Sequence, residues 1–436
     1  MQSPAGNHYV ICNRLFSRRA RPSRNGKGAG FQKVVVMTKW LLFAAAALVC
    51  ASAYVLFADS EEAEAAADSY GRKITYEFDS GTGTLTISGS GDMGDSQYST
   101  VPWKSYRESI KTVAIGDGFT SIGSYAFSGC TALASVTIPN SVTSVGSAAF
   151  DGCTSLKSVT IPGSVTSVGS SAFSGCTALR SIVIPDSVES VKPSTFAGCI
   201  SLVSASIGDS AVSIEDYAFA GCAKLASVAI GNSVVSIETY AFSDCTSLRS
   251  IVIPDFVESV GSSVFSGCTA LVSATMGNSV TSIGDYAFSG CTSLASVSIG
   301  ISVGSIGRLA FYDCTSLASL IIPDSVTSIG DYAFAGCNSL ESVTVSKYLE
   351  TVGTLPFKGI LFYDADGNAL PATAQALAGK TFETDDGKLT AVGSDGKGGD
   401  GESQSEIILA AATLITAIAA LAVAVLALII VKKKEA

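Results

Sequence analysis

Apolar side chains recur along the middle of the chain in a pattern whose period changes every few residues. From Cys130 to Gly152, Leu133, Val136 and Ile138 point one way, and the alternation across Val136-Thr137-Ile138 predicts a short strand. Pro139-Asn140 reads as a turn. Val142 and Val145 form a second short extended piece, closed by Gly146, and Ala149, Phe150 and Cys153 then share one face of a single helical turn. A unit of this size buries too few apolar groups to offset the entropy of ordering its backbone. Its core has to be completed by neighbours.

The neighbours are copies of the unit. Cysteines stand at 130, 153, 176, 199, 222, 245, 268, 291, 314 and 337, and every gap is 23 residues. Three residues before each stands a phenylalanine, from Phe127 to Phe334, and three residues after each a leucine, from Leu133 to Leu340. Phe357 continues the series, with Ile360 in place of the cysteine. A fixed period in the twenties predicts a solenoid, one long body rather than several domains. The ends depart from the repeat, as terminal coils must. Lys73 to Ser88 alternates like a β-hairpin around Ser80-Gly81-Thr82-Gly83, and Gly359 to Tyr363 and Lys380 to Val392 read as short strands. The expected organisation is an N-terminal β cap over 69–107, the solenoid over 108–360 and a C-terminal β cap over 361–392.

The segment Ser121-Ile122-Gly123-Ser124-Tyr125-Ala126-Phe127-Ser128-Gly129-Cys130-Thr131-Ala132-Leu133 and its copies resemble the BspA-like type of leucine-rich repeat, found in surface proteins of bacteria, archaea and some protists. Gly83-Thr84-Leu85-Thr86-Ile87-Ser88-Gly89 and Val101-Pro102-Trp103 look like the N-terminal cap segment of that family. The resemblance implies an α/β solenoid: a right-handed array of about eleven coils, each a short strand, a turn, a short extended piece and one helical turn. It also implies a role in adhesion or recognition. It names no ligand, because one fold serves many partners.

Outside the array the pattern is that of a membrane protein. Residues 1–40 are a basic leading segment, within which Met37 offers a second start. Residues 41–57 are an apolar run that reads as a signal peptide or signal anchor. Residues 393–406, GSDGKGGDGESQSE, lack apolar side chains and read as a flexible stalk. Residues 407–431 hold no charge and are long enough to span a bilayer as a transmembrane helix, and 432–436 form a lysine-rich cytoplasmic tail. The expected location is the cell membrane, in one pass or two, with the repeats outside.

Composition narrows the chemistry. In 436 residues there is one histidine, His8, ahead of the first apolar run. The body therefore holds no Ser-His-Asp triad, no Cys-His dyad and no histidine-ligated metal. The net charge of −10 conceals an acidic middle between basic ends, with 36 acids against 16 bases from residue 58 to 406. Such a body repels a phosphate backbone, so nucleic acid is not an expected partner.

The repeated columns supply the remaining candidates. The cysteines read as buried free thiols. Two serine registers, Ser135 to Ser342 and Ser121 to Ser328, read as columns in which each hydroxyl satisfies the next. Asp186, Asp255 and Asp324, and Asp216, Asp285 and Asp331, read as turn and helix-cap acids, and Asp364-Ala365-Asp366-Gly367-Asn368 as a hairpin turn. The side chain five residues before each cysteine also varies and is expected in solvent. No catalytic residue, cofactor or metal site is expected. The variable strand positions form the candidate contact face: Lys157, Arg180, Val203, Arg249 and Val272 after the leucine, and Thr137, Thr160, Val183, Val252, Thr275 and Ile321 near the strand end. The expected partner is an extracellular protein or glycan on a host or neighbouring cell. The alternative is a structural envelope protein that associates with itself.

Overall fold

The computed structural model describes Ser60–Glu61, Ala66–Ala67 and residues 73–392, apart from 98–99 and 386–387. The expected leading segment, signal or anchor, stalk, transmembrane helix and tail lie outside the described residues. Among the described residues no helix is long and apolar enough to cross a membrane.

The coils give one strand to each of two parallel faces, except that the coil from Cys153 joins the first through a single bridge, Ser158 to Ser135. In the first sheet, Ser181–Ile184 pairs with Ser204–Ile207, and that strand with Ser227–Ala229. Every residue lies opposite its equivalent 23 positions on. The pleat turns Ile182 and Ile184 inward and Ser181 and Val183 outward, so alternation along the strand becomes one core face and one solvent face. The second sheet is built from pairs such as Ser190–Val191 with Ser213–Ile214 and runs on to Thr351–Val352.

Twelve strands occupy the second position, from Gly91–Asp92 to Thr351–Val352, one more than the expected eleven coils. The additional coil comes first. Thr84–Ser88 lies parallel to Thr112–Ile115, with Leu85 opposite Val113, a step longer than the 23-residue period. Lys73–Asp79 then runs antiparallel along the outer edge of Thr84–Ser88. At the other end Thr381–Asp385 runs antiparallel to Ser342–Thr344 and to Lys388–Val392.

The third side of each coil corrects the expected helical turn, and with it the α/β class. The described helices are the 3-10 turn Lys104–Tyr106, in the atypical first coil, and the single α-helical turn Ala374–Leu377, beyond the last, and neither falls in a coil of the cysteine series. The corner is a chain of tight turns. Ala149 donates to Gly146, Asp151 to Ala148 and Cys153 to Phe150, while the N–H groups between them, on Ala148, Phe150 and Gly152, donate to carbonyls of the following coil. Ala148 has φ 51° and Gly152 φ 69°. Left-handed residues four apart cannot belong to a right-handed helix. They fit the third position of type II turns, which free alternate N–H groups to bond across coils.

The core is a set of columns. Phe127 to Phe357 stack ring on ring, with centroids 5.1–5.6 Å apart. Trp103 takes the phenylalanine place in the first coil, 5.7 Å from Phe127, and its Nε1–H donates to the Ala126 carbonyl at 2.7 Å. Phe362 meets Phe357 edge-on, and Phe382 meets Phe362 the same way, which ends the stack. Coils approach closely at the second-sheet glycines. A Cβ on Gly146 would lie 2.4 Å from the Ser124 nitrogen of the previous coil.

Candidate functional site

The first sheet places the candidate residues in two outward columns. Arg180 donates its N–H to the Lys157 carbonyl at 3.3 Å, Val203 to Arg180 at 2.8 Å and Ala226 to Val203 at 2.9 Å, so the position after each leucine is stacked coil on coil. The second column runs through Val183, Ser206 and Ala229, paired in register. Between them stand Ser181, Ser204 and Ser227. Thr137, Lys157, Thr160, Arg180, Val183, Val203, Arg249, Val252, Val272 and Ile321 are exposed, and Thr275 is half-buried. The structure thus brings all eleven to one side of the body. Val183 is 60% exposed, on a face that nothing among the described residues covers.

The thiol column is buried and free. Each thiol from Cys153 to Cys337 donates to a phenylalanine carbonyl 26 residues earlier, as Cys199 does to Phe173 at 3.2 Å. Burial pushes the Cys199 and Cys291 thiols up to about 12, so neither is a nucleophile in the folded protein.

The serine columns differ from expectation. Among the described residues no hydrogen bond links one of these hydroxyls to the next. The pleat turns the Ser135 register outward, and Ser158, Ser181, Ser227 and Ser250 are exposed. Threonines make the bonds between coils instead. Thr166 donates to the Thr143 carbonyl at 3.3 Å and Thr177 to the Thr154 carbonyl at 3.2 Å. Their recurrence every 23 residues is the signal that could have found them.

The turn acids also act between coils. The Asp186 carboxylate accepts the Asp209 N–H at 2.9 Å, Asp255 that of Asn278 at 2.8 Å and Asp285 that of Arg308 at 2.8 Å. Each caps the coil above it, not a helix. Asp364 accepts from the Asn368 side chain and backbone and from Asp366, within the hairpin joining Phe362–Tyr363 to Ala369–Leu370. The Asn368 side chain first, then its N–H, hold the Asp364 carboxyl below its usual range. Among the described residues no cluster of three acids or cysteines is placed to hold a metal.

The position five before each cysteine is the left-handed corner residue, and it is not uniformly in solvent. Tyr125, Tyr217 and Tyr240 are exposed, whereas Ala148 and Ser263 are buried. Tyr217 and Tyr240 stack at 4.8 Å, and the Arg308 guanidinium lies over the Tyr286 ring at 5.4 Å. A shallow depression of about 520 Å³ opens over the second sheet between Asp285, Arg308 and Asp331. Both carboxylates there are already engaged by backbone N–H groups.

The model of the BspA-type leucine-rich repeat region matches residues 104–225, 166–290 and 259–364, with six copies. The chain belongs to the BspA-type leucine-rich-repeat family. No curated protein matches it. Among solved structures, a leucine-rich repeat protein from Bacteroides ovatus is 27% identical, with 67% of this chain and 92% of that one covered and a TM-score of 0.49. A leucine-rich cell surface protein from Faecalibacterium prausnitzii is 28% identical over 63% of this chain and 88% of that one, with a TM-score of 0.39. A leucine-rich repeat protein from Eubacterium ventriosum is 24% identical over 66% and 92%, with a TM-score of 0.40. Within this BspA-type array, coils share their core columns and differ in their surface columns.

Proposed function

We propose that this BspA-type protein is anchored in the cell membrane through residues 407–431 and presents its solenoid outside the cell for adhesion or for recognition of a protein or glycan, without catalysis. The observation that carries the reading is the strand face. Lys157, Arg180, Val203, Arg249 and Val272 vary from coil to coil above a core whose phenylalanine, cysteine and leucine columns do not. Side chains free to vary on a broad, rigid sheet suit contact through area and hydroxyl groups.

The test displays the full-length chain on a non-adherent host cell. Attachment to neighbouring cells, to mucosal glycoprotein and to the source cell's own envelope is counted for the parent and for K157E/R180E/R249E. Attachment to a foreign surface that the triple variant loses supports the reading. Attachment equal in parent and variant overturns the strand face as the contact, and attachment to the protein's own envelope alone moves the assignment to a structural coat.

A further inference from the structure

Between Cys130 and Cys337 the chain carries six cations and fourteen anions, and the fold sorts them by side. The eight residues after each cysteine form the lead-in and strand of the first sheet. Over these nine coils they hold Lys157, Arg180, Lys224 and Arg249 and no acid. All fourteen acids fall on the other sides, accompanied by Lys192, which is paired with Glu215 at 2.8 Å, and by Arg308, which lies over Tyr286. The four cations of the face are exposed, and among the described residues none of their charged side-chain groups has a carboxylate, hydrogen-bond or ring partner. Lys111, also exposed, extends the series one coil toward the N-terminus, where the exposed Glu108 shares its lead-in, and Glu341 is the acid at the far end, so that acids bound the cationic strip at both ends.

We infer that the strand face binds an acidic polysaccharide, a chain bearing carboxylate or sulfate groups, laid along the axis of the solenoid. The inference rests on the strand face being the contact surface. Coils advance by the strand spacing, so Lys157 and Arg249 stand about 19 Å apart along one line. Beside them the exposed hydroxyls of Ser158, Ser181, Ser227 and Ser250 lack partners and supply donors and acceptors at the same repeat. A polymer with one anionic group and several hydroxyls per unit has matching periodicity. A folded protein partner fits less well. The two variable columns and the serine register hold no Phe, Tyr or Trp, the anchors that dominate protein interfaces. Nucleic acid is disfavoured by the flanking acids and by the lack of rings on which bases could stack. Acidic flanks around a cationic strip also keep an anionic chain in register on it.

The test measures binding of the full-length chain, held in non-ionic detergent, to immobilised polygalacturonate, heparin, dextran, polyglutamate and duplex DNA. Retention on polygalacturonate or heparin, weakened about tenfold between low and high salt, with none on dextran, is expected. K157E/R180E/R249E should lose at least about tenfold in affinity, whereas R308E, which reverses a cation off the face, should not. Absence of retention on both acidic polysaccharides overturns the inference. So does equal retention on polyglutamate or DNA, or equal loss in R308E, since each would mean general charge attraction. If neither polysaccharide binds while the triple variant still loses cell attachment, the glycan inference falls and the strand-face reading stands.

Discussion

The thiol of Cys199 donates a hydrogen bond to the carbonyl oxygen of Phe173, 3.2 Å away in the preceding coil. The bond joins two core columns and is the second to that oxygen, which also accepts the Cys176 N–H of its own corner turn. It also makes the cysteine a cross-coil tie, in a fold with no disulfide among its described residues.

Native thiols in this column should be unreactive. At pH 8, iodoacetamide should leave all ten unlabelled by mass spectrometry and label them only in denaturant, because burial withholds them from the reagent. Rapid labelling of any one would place that cysteine outside the core.

The same burial predicts an alkaline limit to stability. The pKa of Cys199 and of Cys291 rises from 9.0 to about 12 on folding. A raised folded value means the unfolded chain loses its protons first, so the contribution is intact below pH 9 and is lost as pH climbs from 9 toward about 12. The urea midpoint should fall steeply across that window, and Cys199→Ala should flatten the fall. A midpoint constant to pH 11 would contradict this.

Phe242 is fully buried, with its ring 5.3 Å from Phe219 and 5.6 Å from Phe265. Phe242→Ala should cost about 3–5 kcal/mol in urea unfolding, from lost transfer energy and the cavity left behind. A loss below about 1 kcal/mol would mean that neighbouring coils close the gap.

Asp285 caps the Arg308 N–H of the next coil. Asp285→Ala should destabilise the chain by about 1 kcal/mol, and Asp285→Asn, which keeps an acceptor oxygen, by less. Equal effects of the two would argue that charge, not the bond, matters there. Asp324 carries both a backbone bond and an ion pair from Lys347, and the Lys347 side chain first, then its N–H, lowers the Asp324 pKa. That contribution is present above the ordinary carboxylate range and is lost in acid, so Asp324→Asn should lessen the acid sensitivity of the C-terminal coils.

Register predicts how deletions behave. Removing 23 residues, such as 245–267, should leave a folded, shorter array by circular dichroism and proteolysis, because each remaining residue meets its equivalent. Removing 11 should place corner residues against strands and abolish cooperative unfolding. Equal tolerance of both would contradict the solenoid.

The repeat, its core columns and the outward face were legible because periodicity and pleat are direct consequences of sequence. The corner was not. Ala149, Phe150 and Cys153 have helical spacing, and Ala148 carries no mark of the left-handed conformation that Gly152 advertises; bonding to the next coil decides it. The first coil escaped because Leu85 and Val113 are out of step with the period. Serine hydroxyls were expected to bond up the stack, but in the register from Ser135 the pleat carries them into water, where such bonds gain little. The sequence shows the strand-face cations singly; only the fold reveals that the acids between Cys130 and Cys337 lie on the other sides.

A stack of parallel strands with bare ends is a template for endless growth, which is how fibrils recruit more chain. Here Lys73–Asp79 and Thr381–Asp385 reverse direction across the two ends of the first sheet. A second molecule arriving there finds those strands already paired on their outer sides, the first with Ser60–Glu61 and the second with Lys388–Val392. The rod is thereby made finite, and what it grips it must grip broadside.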